Sequence, residues 1–200
     1  MQPAIRASYT KTSLRHFKRG FPTRMPQLID AIGEPTLTRL RETSPIGWLP
    51  AELHVSVCEA MVTVVRRDDA RALWADVLLE AFGAPLLAPF VSGAARLFGN
   101  DPSSIMRMTP QAWQLLYKDC GRAWMDSADA SHATMLFEGL PRVITQSQAT
   151  LDTFLANCDA AFEHYNCRGT ATPGPIDAEQ GTFRIDTEWQ RISRTSMRPV

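Results

Sequence analysis

The sequence lacks the short motifs that mark the common enzyme classes. No GxGxxG and no Walker-type loop occurs, which removes the phosphate-cradling sites those glycines build. GxSxG and HExxH are missing as well, and with them the nucleophile elbow and the zinc-protease helix. The four cysteines, Cys58, Cys120, Cys158 and Cys167, form no CxxC pair, so neither a redox motif nor a standard zinc framework is written into the chain. No apolar run approaches the roughly 20 residues of a membrane span. The start has no apolar stretch of the secretory kind. Lys plus Arg and Asp plus Glu each number 21, so overall charge makes no case for nucleic acid or an anionic membrane. Free thiols in a reducing compartment are the expectation, with the cytoplasm as the default location.

What is present suits one filled core. At 200 residues with 44% hydrophobic content, the chain is long enough to bury a single α+β domain over residues 1–190. Residues 191–200, with Arg191, Arg194 and Arg198, are expected to be a flexible basic tail. Residues 1–29 carry Arg6, Lys11, Arg15, Lys18, Arg19 and Arg24 and no acid. That imbalance imitates a transit peptide, but the better reading is a basic helix whose Leu14 and Phe17 face the core.

The first half of the chain has helical periodicity. Met25, Leu28, Ile29 and Ile32 stand at i, i+3, i+4 and i+7, and Gly33 follows them. A firm helix is predicted over Ala51 to Arg66, with Leu53, Val57, Ala60, Met61 and Val64 on one face and Pro50 at its start. Asp68 or Asp69 is placed to cap the next helix, which runs to Gly83. Pro85 to Phe98 reads as a third helix with little charge, covered either by the core or by a second subunit. Asp101 and Thr109 are the cap residues expected for the two short helical pieces that follow.

From Arg122 the period changes to two. Ala123 to Ser127 and Thr134 to Glu138 predict a hairpin, and Gln146 to Ala161 a helix with Leu151, Phe154, Leu155 and Cys158 on its inner stripe. Residues 163–170 read as extended, 172–181 as a mobile Pro- and Gly-rich loop, and Thr182 to Trp189 as a strand with Phe183, Ile185, Thr187 and Trp189 on one face. The predicted architecture is an N-terminal helical half packed on a small antiparallel sheet of β-β-α-β-β order.

Several residues could carry chemistry. Cys158, His164 and Cys167 are weak metal candidates, with Cys120 or His132 as a fourth ligand, but Cys158 also lies on the apolar stripe of its helix. His54 and Cys58 share a helix face at i, i+4 and could bind metal or place an imidazole on haem iron. The bland alternative is a histidine hydrogen-bonded to a neighbour. Trp48, Trp113, Tyr117 and Trp124, with His54 and Cys58, are the ligand-binding candidates, because large rings between helices and a sheet can line an apolar pocket. The same rings also fill cores for purely energetic reasons. No catalytic residue and no cofactor can be assigned.

Weak motifs in a fixed order carry a resemblance. They are Trp48-Leu49-Pro50, then Trp113, Tyr117 and Gly121, then Phe137, Gly139 and Pro141, and finally Cys167, Gly169 and Trp189. In this order the chain resembles a paralogous family of uncharacterised myxobacterial proteins of about this length. Its C-terminal part looks like the 4-vinyl reductase type of ligand-binding domain, a fold similar to TRAPP-type trafficking subunits and, more remotely, to haem-based nitric-oxide sensors. Cys167 and Gly169 match the Cys and Gly of that pattern, while its second Cys is absent.

The resulting expectation is a non-enzymatic sensor or interaction domain with an apolar pocket, binding an apolar small molecule, a protein partner or a second copy of itself, with no nucleic acid and no membrane span. The alternative is a haem- or metal-binding protein, or a small enzyme, using His54 and the cysteines.

Overall fold

The computed structural model describes residues 2–192. The predicted tail beyond residue 192 lies outside the described residues. A short strand β1 (Ala4–Arg6) leads into α1 (Ala7–Gly20), α2 (Met25–Ile32) and α3 (Glu34–Glu42). Strand β2 (Trp48–Pro50) precedes α4 (Ala51–Val64), α5 (Arg67–Phe82) and α6 (Ala88–Phe98). Two short helices, α7 (Pro102–Arg107) and α8 (Thr109–Leu116), run into β3 (Tyr117–Lys118). The remainder is β4 (Arg122–Ala128), β5 (His132–Glu138), α9 (Arg142–Thr145), α10 (Gln148–His164), β6 (Cys167–Asp177) and β7 (Thr182–Arg191). The chain is α+β, with a helical first half and the expected β-β-α-β-β order after it.

The main sheet is antiparallel in the order β4-β5-β7-β6. Its inner face carries Ala133, Met135 and Phe137 from β5 and Phe183, Ile185, Thr187 and Trp189 from β7, all buried. Alternation puts Thr134 and Leu136 on the other, wetter side, where Thr134 Oγ1 donates to Asp186. Helix α10 packs on the inner face and touches α5, α4 and α7 on its other sides, so it is buried almost all round. One cluster of buried residues runs from Ile5 to Trp189.

A second sheet, β2-β1-β3, was not legible in the sequence. Its strands are two or three residues long, too short to show a period. It ties the chain start to Trp48–Pro50 and fixes Tyr117 at the end of α8.

Four local expectations are corrected. Residues 172–177 are not a loop but the outer half of β6, paired with β7 across a register shift between Pro173 and Ile176. Proline is tolerated there because β6 is an edge strand and its missing N–H has no partner to lose. Residues 163–164 continue α10, and the chain turns at Asn166, whose φ is 52°, before β6 begins. Neither Asp68 nor Asp69 caps α5; Arg66 holds that position and the two acids lie in the first turn, where the helix dipole favours them. Thr109 is the first residue of α8, and Met108 stands at its cap. Asp101 does cap α7, accepting from the Ser103 backbone N–H. Gly169 in β6 has a packing role: a Cβ there would come within 2.6 Å of the Phe162 ring.

A candidate ligand cavity

The helices and the sheet do not close completely on each other. Between them lies a cavity of about 100 Å³. Helix α5 contributes Leu78 and Phe82, Leu87 comes from the residue before α6, and α6 itself adds Phe90 and Val91. Ile105, Met106 and Met108 come from around α7, and Thr109, Ala112, Trp113 and Leu116 from α8, with Tyr117 following. The sheet adds Met135 and Phe137. Helix α10 adds Phe154, Asn157, Cys158 and Ala161, a spacing of i, i+3, i+4 and i+7 that turns one stripe towards the space.

Aromatic rings form one wall. Trp113 stacks on Tyr117 and meets Phe137 and Phe154 edge-on, at centroid distances of 5.5 and 5.4 Å. Phe137 and Phe154 lie nearly parallel, 5.0 Å apart. Trp113 is held by its indole N–H, which donates to the Gly121 carbonyl at 3.2 Å. Gly121 itself needs to be glycine, since its φ is +74° and a Cβ would fall on the Glu138 carbonyl. The rest of the lining is softer, with Met106, Met108 and Met135 as adaptable thioethers.

Behind the aromatic wall is a fully buried polar group. His54 Nδ1 and Thr10 Oγ1 are 2.9 Å apart, and Cys58 Sγ lies 3.4 Å from His54 Nε2. Burial pushes the imidazole down to about 4 and raises the Cys58 thiol far above its usual range. Both groups are therefore neutral. Tyr9 stacks on His54 with centroids 5.5 Å apart. The hydroxyls of Tyr9 and Tyr117 are near Thr153 but reach no hydrogen-bond geometry, and burial raises both above the ordinary phenol range.

The candidates from the sequence are only partly gathered. Trp113, Tyr117 and Cys158 line the cavity. His54 and Cys58 do not. Trp48 lies in the small sheet, with the Arg6 guanidinium 3.8 Å from its ring centre. Trp124 belongs to the outer side of β4, under Arg122, which also pairs with Glu138 at 2.6 Å. Cys158 donates to the Phe154 carbonyl, Cys167 to the Tyr165 carbonyl, and His164 meets Phe82 edge-on at 5.4 Å. Among the described residues no three His, Cys, Asp or Glu side chains are grouped to hold a metal ion. Sequence reasoning missed Phe137, Phe154 and Asn157 as lining residues. The inner parity of β5 and the stripe of α10 were visible, but the gap between them was not.

A second, larger cavity of about 410 Å³ adjoins the first and shares Leu78, Leu87 and Leu116 with it. It lies between α1, α5 and the segment before α6.

No family model matches this chain, and no curated protein does. Solved structures do. The chain is similar to the Fe(II) unliganded H-NOX protein from K. algicida, with a TM-score of 0.61 at 13% identity over 96% of this chain and 98% of that one. An oxygen-binding H-NOX domain related to soluble guanylate cyclases, in its oxygen complex, gives 0.55 at 10% identity, covering 94% and 96%. An H-NOX structure from work on haem distortion in that family gives 0.56 at 9%, covering 98% and 100%. At these identities the likeness is one of fold, and it extends over nearly the whole chain. It corrects the resemblance drawn from the sequence motifs: the matches are H-NOX domains, not 4-vinyl reductase or TRAPP-type domains, and no match supports a myxobacterial family. The Cys167 and Gly169 pair that prompted that resemblance has local causes, a thiol on a backbone carbonyl and a glycine under a ring. Among the described residues no helix is long and apolar enough to cross a membrane.

Proposed function

We propose that this chain is a non-enzymatic sensor domain whose apolar cavity takes a small apolar molecule. The observation that carries the reading is the space itself, walled by rings and thioethers at the junction of the helical half and the sheet. A dry cavity of roughly 150 Å³ lined by apolar side chains is enough to hold benzene or xenon. At about 100 Å³ the cavity here is suited to a ligand of one small ring at most. The fold shared with H-NOX domains, among them one described as oxygen-binding, supports a sensor of small ligands.

Haem is the alternative that the same neighbours raise. The fold supports it, but the residues of this cavity do not fit the group. Drug-sized ligands occupy pockets of roughly 300–1,000 Å³, so a group as large as haem would have to extend into the adjoining cavity of about 410 Å³. No histidine lines either space, and Arg6, which lines the adjoining one, is already engaged with the Leu115 and Ile46 carbonyls and the Trp48 ring. His54 has neighbours at both ring nitrogens, and His16 lies against Glu80 at 2.9 Å. Of the lining groups that can ligate iron, the Cys158 thiol is pushed up to about 12 by burial and the Tyr117 phenol is held well above its ordinary range, which leaves only the thioethers of Met106, Met108 and Met135. The absorption spectrum of the purified protein, before and after one equivalent of haem, separates the two readings. The proposal expects no Soret band of bound haem. A stoichiometric one would replace the apolar ligand by haem.

Self-association through α6 belongs to the same proposal. Only Ala94 of that helix is buried, while Leu97 is 72% and Phe98 44% exposed. The core does not wrap the helix, and a second copy is the commonest cover for such a face.

A further inference from the structure

Two residues of the lining carry a buried polar atom without a hydrogen-bond partner among the described residues, Tyr117 and Asn157, and the Tyr117 hydroxyl lies on the side of Thr153. Asn157 lines the space from α10, and its Oδ1 is buried with no hydrogen-bond partner among the described residues. Its neighbours on the same stripe, Phe154, Cys158 and Ala161, are apolar or already satisfied, since the Cys158 thiol donates to the Phe154 carbonyl at 3.7 Å. The Trp113 indole N–H is engaged with Gly121. A buried acceptor without a donor is unfavourable, and replacing it by an apolar side chain of similar shape would remove the penalty. An ordered water needs two to four polar partners, and this lining is otherwise almost wholly apolar.

We propose that Asn157 is a specificity-determining residue: the ligand of this cavity is a small apolar molecule carrying one hydrogen-bond donor, a phenol or a comparable ring alcohol or amine, which donates to Asn157 Oδ1. The inference rests on the apolar-ligand reading above and names its chemical class. The rings of Trp113, Phe137 and Phe154 take the flat body of such a molecule, and the carboxamide takes its polar tip. A site that hydrogen-bonds one group on a ligand discriminates strongly against the analogue lacking it, because the site's own polar atom is then left unpaired.

Calorimetric titration with phenol and with fluorobenzene tests this, since the two have nearly the same shape and only phenol donates. Wild type is expected to prefer phenol, and Asn157→Leu to lose roughly three- to tenfold of that preference while still binding fluorobenzene. An equal phenol-to-fluorobenzene ratio in wild type and variant overturns the role of Asn157 and leaves the apolar-ligand reading standing. Failure of wild type to bind either molecule overturns that reading itself. If Asn157→Leu does not fold, the side-chain amide resonances of Asn157 in wild type carry the test: phenol must move them further than fluorobenzene does. Equal response to both overturns the proposal.

Discussion

The rings of Trp113 and Tyr117 stack with centroids 3.8 Å apart and planes 13° from parallel. They join the end of α8 to the small sheet and form the wall between the cavity and the buried His54 group. Trp113→Ala should therefore cost on the order of 3–5 kcal/mol in urea unfolding. It also enlarges the cavity, so added fluorobenzene should raise the melting temperature of the variant more than that of wild type. An equal shift in both would place the bound ring away from Trp113.

Stability should fall on acidification because of His54. Its imidazole is wholly buried and pushed down to about 4, against an ordinary value near 6.5 in the unfolded chain. The unfolded state therefore binds more protons in this range. The contribution of neutral His54 is fully present above about pH 6.5 and is lost as pH falls towards 4, on the order of 3 kcal/mol in all. Urea midpoints from pH 7 to 4 should decline more steeply in wild type than in His54→Gln. Parallel curves would mean that water reaches the imidazole.

Helices α5 and α10 are fastened by two bidentate pairs, Arg67 with Asp152 and Arg71 with Asp159. Asp152 is buried, and Gln148 Nε2 is its only other donor among the described residues. Arg67 is more than half exposed, which reduces the strength of its pair through solvent screening. Arg67→Met alone should cost roughly 2 kcal/mol by leaving a buried carboxylate short of partners, and Asp152→Leu added to it should restore most of that loss. A double variant less stable than the single one would show that the pair itself, not the stranded charge, holds the helices together.

Self-association can be read from one exposed residue. Leu97→Glu removes apolar surface from α6 without touching the core. Sedimentation should show a dimer for wild type and a folded monomer for the variant. Identical sedimentation of the two would remove α6 as the interface.

The fold was legible wherever one face of an element is buried and the element is long. The bounds of α2 could be read from four residues, and the parity of β7 from Phe183 to Trp189, because burial there follows the period of the backbone. The two- and three-residue strands of the small sheet had no period to read. Pro173 in β6 carried a breaker signal that an edge position cancels. The site was less legible than the fold. Aromatic residues were noticed for their size, which does not distinguish Trp113 in the cavity wall from Trp48 beneath Arg6 or Trp124 on the outer sheet. Asn157 looked like one polar residue of a long helix. Its meaning lies in having no partner, a property that exists only once α8, β5 and α10 are brought together.

The central claim is that the cavity binds a small apolar molecule, and a benzene titration followed by NMR of the methyl and aromatic groups tests it most directly. Saturable shifts confined to the lining, led by Met106, Trp113, Phe137 and Phe154, are the expected result. Shifts that do not saturate, or that fall only on surface residues such as Leu97 and Ile29, would contradict it.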